Sequence, residues 1–218
     1  MNNFTYHVYT DVRFGKDQIN TLPELIAPLG KKVLLVYGGG SIKRNGIYDK
    51  IQELLSDCEI YELSGIEPNP KIESVRAGAA LCKEHGIEVV LAVGGGSVID
   101  ASKVIAAAAN YDGDAWDLVV NNKKIGKVLP IVAILTLAAT GSEMNKNAVI
   151  SNMTTNEKLE LLPIILSLQQ LSVTRLIYSL CLQTRLQPAR RILCPMYLNS
   201  ISRKLKPHIL LTVLQKVF

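Results

Sequence analysis

Beyond residue 141 the sequence contains no glycine, and beyond Glu160 it contains no aspartate or glutamate. The first absence removes the punctuation that shapes turns and ends helices. The second leaves the Lys and Arg of the last quarter unopposed, in a chain of 218 residues whose net charge is only +5. Histidine is equally scarce. His7, His85 and His208 are the whole supply, and none has a second His or a carboxylate at the spacing that metal ligands require, so no metal site is readable. Cys58, Cys82, Cys181 and Cys194 form no C-x-x-C pair, which predicts a reduced, cytoplasmic setting. No stretch approaches the roughly 20 apolar residues of a membrane helix. The start, MNNFTYHVYTDVRFGKD, has neither a basic n-region nor an apolar run, and is predicted not to be a signal peptide.

What the chain does have is a hydrophobic share of 48%, enough to bury a real core, and a regular grammar up to residue 159. Val33–Tyr37 (VLLVY), Val89–Val93 (VVLAV) and Leu129–Leu135 (LPIVAIL) are short apolar runs of the kind that form buried parallel strands. Cys58–Leu63 reads as a further strand. Helical spacing marks Ile47–Leu55, Ile72–His85 with Gly86 as its C-cap, and the Ala-rich Val98–Ala108. Two prolines make Gly65–Pro70 (GIEPNP) a loop. Alternating strand and helix predicts an α/β fold, a doubly wound parallel sheet with ligands at the carboxyl ends of its strands.

Two of those strand ends carry glycine loops, YGGGSIKRNG (Tyr37–Gly46) and VGGGSVIDASK (Val93–Lys103). Neither matches G-x-G-x-x-G or the P-loop. Glycine lets backbone approach an anion closely, and N–H groups at the following helix point toward it. A single GGGS is as well explained by a tight turn, but two at successive strand ends favour phosphate binding. Asp100 follows one turn later, either as a ligand contact or as dipole compensation. Thr136, Thr140 and Ser142 follow the third strand and are either ligand contacts or helix caps. His85 reads as a surface residue. Lys43 and Arg44 follow the first loop where NAD-specific proteins commonly place an acid, so a 2′-phosphate meets no repulsion there.

The three segments GIEPNP, AVGGGSVIDASK and LTLAATGSEMN, in this order and spacing, resemble the iron-containing alcohol dehydrogenase family and in particular its butanol dehydrogenase branch, over residues 1–159. The resemblance implies a dehydroquinate-synthase-like architecture: a Rossmann-like N-terminal domain followed by a helical metal domain, here missing. It implies NAD or NADP as cofactor and a small alcohol or aldehyde as substrate, with iron or zinc in the intact family but not on this chain. By position it assigns Gly38, Gly39, Gly40 and Ser41 to the adenosine end, and Gly94, Gly95, Gly96 and Ser97 to the pyrophosphate with Asp100 beside it. It places Thr136, Thr140 and Ser142 toward the phosphates and nicotinamide, and Lys158 at the cofactor or substrate. No nucleic acid or membrane partner is implied, and a homodimer is left open.

After Lys158 the grammar changes. Leu161–Leu171 is apolar without a clear period. In a reading frame displaced by one base, the codons compatible with Val173–Ile177 permit DPTY, a family motif, and those of Gln183–Asn199 permit NQTAAGTADIMSHVFE, which holds the family's D-x-x-x-H ligand spacing. Residues 160–218 are therefore expected to be an out-of-frame tail, disordered or loosely helical, on a truncated and inactive chain whose dinucleotide domain is 1–159. Two alternatives stay open. One is a non-catalytic nucleotide-binding module whose tail binds a partner. The other is a relative of glycerol dehydrogenase or dehydroquinate synthase.

Overall fold

The structure, a computed structural model, describes residues 10–15, 17–137, 139–161 and 174–178, with the backbone alone for Phe14 and Thr174–Tyr178. His7, His208, Cys181 and Cys194 lie outside the described residues, as does most of the predicted tail.

Six strands form one fully parallel sheet: β1 (Asp11–Phe14), β2 (Lys32–Tyr37), β3 (Glu59–Leu63), β4 (Val89–Gly94), β5 (Ile131–Leu135) and β8 (Thr174–Tyr178). Their spatial order is β1-β8-β5-β4-β2-β3, with Leu34 beside Val90 and Leu91 beside Val132 in the register. A fully parallel sheet needs both faces covered. One face lies under α4 (Ile72–His85), α5 (Gly96–Ala108) and α6 (Ala115–Val120), and the other under α1 (Leu22–Ile26) and α3 (Ile47–Leu54). Alternate residues of each central strand feed the two layers, Leu34 and Val36 going one way and Val33 and Leu35 the other. That double burial is why these strands read as unbroken apolar runs.

Helix ends follow local chemistry. Gly86 caps α4 at φ 63°, returning its N–H to the Cys82 carbonyl, a left-handed geometry that glycine adopts without strain. Asp114 caps α6 by accepting from the Trp116 N–H, and it also takes a two-pronged ion pair from Arg76 of α4 at 2.8 and 2.9 Å. His85 is half-buried rather than simply a surface residue, stacked on Tyr61 with ring centroids 4.1 Å apart. Cys82 is a core residue whose thiol is pushed up to about 12 by burial.

Beside the sheet, β6 (Ala148–Asn152) and β7 (Glu157–Leu161) form an antiparallel hairpin against α5 and α6. Its sequence alternates, with Ala148, Ile150 and Asn152 buried, and Asn152 Oδ1 accepts from the turn N–H groups of Thr154 and Thr155.

Two described segments bear on the expected boundary at 159. It falls inside β7, where Glu160 pairs with Val149 and Leu161 with Ala148. Within the expected tail, residues 174–178 are described as extended. They form β8, hydrogen-bonded between β5 and β1. A β-prone TRLIY segment there meets the ladder groups that two neighbouring strands present, and pairing satisfies them. Among the described residues no helix is long and apolar enough to cross a membrane.

Packing of α4 on α5 sets a sharp limit on size at Gly78. A Cβ there would lie 2.6 Å from Ile105 Cδ1 and 2.9 Å from Leu63 Cδ2. Gly78→Leu is therefore expected to lower unfolding stability by about 1–3 kcal/mol through overpacking, read as a fall in the urea midpoint at unchanged m-value.

Candidate functional site

The strand order reverses between β2 and β4, since the chain runs from β2 outward to β3 and then returns to the opposite side of β2. Ligands of open parallel sheets bind outside the carboxyl ends at such a switch point. The two glycine loops emerge there, Gly38–Ser41 after β2 and Gly94–Ser97 between β4 and α5.

The loops are not equivalent inside. A Cβ on Gly94 would meet Val98 Cγ2 at 2.6 Å, and one on Gly96 would meet Thr140 Oγ1 at 2.2 Å and Ser142 Oγ at 3.0 Å. Gly38 lies under the Ile66 carbonyl, 3.2 Å from where its Cβ would be, because the GIEPNP loop is tied back through Ile66 N–H to Tyr37 O and Gly65 N–H to Gly38 O. Gly40 opens a short helix at φ 47°. Packing or conformation thus accounts for these four. A Cβ on Gly39 would meet nothing within 4 Å, and one on Gly95, at φ −92°, would make only ordinary contact with Leu137 at 3.6 Å. Neither has a positive φ, so nothing among the described residues demands glycine at 39 or 95.

Beside the second loop opens a polar cleft of about 290 Å³. It gathers six of the residues singled out in the sequence: Gly96, Ser97, Asp100, Thr140, Ser142 and Lys158. Thr136 stays at the end of β5, its N–H bonded to Gly94 O at 2.9 Å. Gly38–Ser41, Gly94, Gly95 and Thr136 are outside the cleft lining. Thr140 and Ser142 cap no helix. Their hydroxyls bond each other at 2.8 Å, and the 3-10 turn at Ser142–Met144 has no side-chain cap.

Asp100 does not compensate its own helix dipole either. It sits beyond the first turn of α5, and Oδ2 accepts from Val149 N–H of β6 at 3.2 Å. Oδ1 is buried without a hydrogen-bond partner among the described residues, with Lys103 Nζ 3.9 Å away. Burial pushes the Asp100 carboxyl up, against the pull of Lys103, the Val149 N–H and the Ser142 hydroxyl. Lys103 is pushed down to about 8 by burial, opposed by Asp100 and Glu143. Lys158 reaches the cleft from β7, but its ammonium is held by Asn69 Oδ1 at 2.7 Å.

Sequence reasoning passed over Asn69, Asn145, Asn147 and Glu160, which also line the cleft. Asn69 carried a signal in the proline loop, and it does adopt φ 57°. It also passed over Glu62, at the end of β3. Its two oxygens accept from Tyr37 OH at 2.7 Å and from Tyr48 OH, with Lys43 Nζ 3.8 Å away. Lys43, where the sequence showed nothing to repel a 2′-phosphate, therefore stands beside an acid, and its ammonium lies 4.4 Å from the Tyr48 ring centroid.

A doubly wound parallel sheet with glycine loops flanking its switch point defines a Rossmann-like α/β domain. The profile of the family described as iron-containing alcohol dehydrogenase matches residues 10–166. Over 161 residues the chain is 58% identical to NADH-dependent butanol dehydrogenase B of Clostridium acetobutylicum, covering 73% of this chain and 41% of that protein. It is 45% identical over 161 residues to the NADPH-dependent aldehyde reductase YqhD of Escherichia coli, covering 72% and 41%. The crystal structure of NADH-dependent butanol dehydrogenase A from Thermotoga maritima superposes with a TM-score of 0.72 at 42% identity, over 81% of this chain and 44% of that one. The chain belongs to the iron-containing alcohol dehydrogenase family. It spans about two-fifths of the length of the curated relatives it matches.

The family implies two bound groups. A dinucleotide fits the residues present: Asp100, one of whose oxygens is buried without a hydrogen-bond partner among the described residues, lines the cleft, and two glycines leave room at the switch point. Iron does not fit the described residues, which bring together no group of three His, Cys, Asp or Glu side chains.

The Lys103 shift gives a pH test. Between about 8 and the ordinary lysine value of 10.5, the folded chain has released a proton that the unfolded chain keeps. Stability must rise with pH across that window. Urea titrations from pH 7.5 to 10 are expected to show the rise in the native chain and its loss in Lys103→Met. Parallel pH profiles for the two proteins would contradict the shift.

Proposed function

We propose that this chain binds a nicotinamide dinucleotide across the carboxyl ends of β2, β4 and β5, as the cofactor-binding part of an alcohol dehydrogenase or aldehyde reductase of the butanol dehydrogenase kind. The observation that carries the reading is the pair Gly39 and Gly95. Each sits on its own side of the switch point, and neither packing nor backbone conformation requires glycine there. Close approach of a ligand supplies the missing reason.

In this reading Gly94–Ser97 and the first N–H groups of α5 meet the pyrophosphate, where the thirteen-residue helix contributes its positive end. Gly38–Ser41 lie toward the adenosine. Asp100 Oδ1 takes a hydroxyl or amide donor of the ligand, and the Thr140–Ser142 hydroxyl pair, Thr136 and Lys158 flank the nicotinamide end. A nicotinamide dinucleotide held there would carry the hydride that a complete enzyme of this kind passes to a small aldehyde. Both cofactor forms are compatible with the first loop, and relatives named for NADH and for NADPH occur.

Because Gly95 has an ordinary φ, Gly95→Val adds bulk without backbone strain and is a clean probe. Calorimetric titration of NADH and NADPH into the full chain should show binding. Gly95→Val and Gly39→Val should fold with unchanged circular dichroism and bind about a hundredfold more weakly, the scale of one or two lost charge-assisted hydrogen bonds. Equal affinity in the folded variants would reduce both loops to turns.

Aldehyde reduction is a separate matter, since the described residues offer no metal-ligand group. Assays of the purified chain with butanal, NADH or NADPH, and added Fe²⁺ or Zn²⁺ are expected to stay at the blank rate. Turnover in the ordinary enzymic range of about 1 s⁻¹ or more would overturn that expectation.

A further inference from the structure

Lys103 belongs to α5 and does not line the cleft, yet the cleft wall is fastened to it. Its side chain is only 11% exposed. Its ammonium donates to Ser142 O at 2.6 Å, Asn147 O at 2.6 Å and Asn145 Oδ1 at 3.2 Å. Asn145 is itself the knot of that segment, accepting from Asn147 N–H and donating to Gly141 O. Three ammonium hydrogens therefore meet three acceptors of one loop, two of them backbone carbonyls.

The same loop supplies Thr140, Ser142, Asn145 and Asn147 to the cleft. Its fit against α5 leaves no slack: the Cβ that Gly96 lacks would fall 2.2 Å from Thr140 Oγ1. A loop that moved inward would close over the Gly96–Ser97 turn, and one that moved outward would carry its hydroxyls away from it.

We propose that Lys103 is a positioning residue for the dinucleotide cleft, setting the loop at 140–147 against the start of α5 without touching the ligand. The inference rests on the dinucleotide reading given above. The charged groups facing Lys103 are Asp100 on its own helix and Glu143 on the loop, with Glu160 of β7 facing Asp100 in turn. A neutral side chain at 103 takes the cation out of this acidic neighbourhood and removes one donor from each of three acceptors. Losing those charge-assisted bonds in a buried place is costly enough to displace the loop.

The test uses the full chain, with NADH as the titrated probe and hydrogen exchange as the structural readout. Lys103→Met keeps the stem and removes every donor. It should bind NADH at least tenfold more weakly, with faster exchange at the amides of residues 142–149 and unchanged protection in β2, β4 and β5. Lys103→Arg, which restores a cation with several N–H donors, should recover most of the affinity. If Lys103→Met fails to fold, Lys103→Gln takes its place, with the same outcomes read from it. The proposal is overturned if the uncharged variant binds like the native chain, if it loses affinity while the loop exchanges normally, or if Lys103→Arg binds no better than Lys103→Met. Failure of the native chain itself to bind NADH or NADPH would bring down the dinucleotide reading, and this proposal with it. Native binding that is unaltered by the uncharged variant brings down the Lys103 assignment alone.

Discussion

Because β2 and β4 pair in parallel, both strands must end on the same edge of the sheet, and both must be followed by segments that cross back over a face. That constraint places the two glycine loops side by side, although Gly39 and Gly94 are 55 positions apart in the sequence. It also brings in the packing that fixes them. Val98, in the first turn of α5, fills the space next to Gly94 and comes within 3.8 Å of the Cβ position at Gly38. One side chain therefore sets the depth of both loops. A side chain at Gly94 would run into Val98 and press on α5, whereas one at Gly38 would first meet the Ile66 carbonyl.

Asp100 and Lys103 show what the cleft costs the fold. Both are largely buried, and burial moves each toward its neutral form, the acid upward and the amine downward. Their separation of 3.9 Å is too long for a strong charge-assisted hydrogen bond. Each spends its hydrogen-bonding capacity instead on backbone of the β6 approach, at Val149, Ser142 and Asn147. A buried pair of this kind is weak evidence for stability. It makes better sense as a device that orients a polar wall.

Much of this was legible in the sequence, and what was not has a physical cause. Strands buried on both faces show themselves as apolar runs, so β2, β4 and β5 stood out. Helix α4 was bounded by its periodicity and by Gly86. The hairpin β6–β7 went unseen although its burial alternates, since it is short and half-polar, and β1 is only four residues long. The glycine loops were visible as composition, but composition did not separate glycines that packing demands from those it does not. Lys103 stood in plain sight, but the carbonyls it bonds lie 39 and 44 residues further along the chain. A side chain that bonds backbone carbonyls far along the chain leaves no mark in the residues it bonds, because every residue has a carbonyl.

The place of β8 follows from the same backbone logic, and it bears on where the domain ends. Without Thr174–Tyr178 the sheet would divide, since β1 reaches β5 only through β8. Side-chain pattern sets which face of a strand is buried, whereas the ladder itself is formed by groups that every non-proline residue carries. A five-residue segment of β-prone composition can therefore complete a sheet whatever governed the choice of its side chains. The family match ends at residue 166, and the sheet takes its last strand from beyond it. Sequence likeness and backbone pairing thus draw the border of this domain at different residues, because one reads side chains and the other reads the main chain.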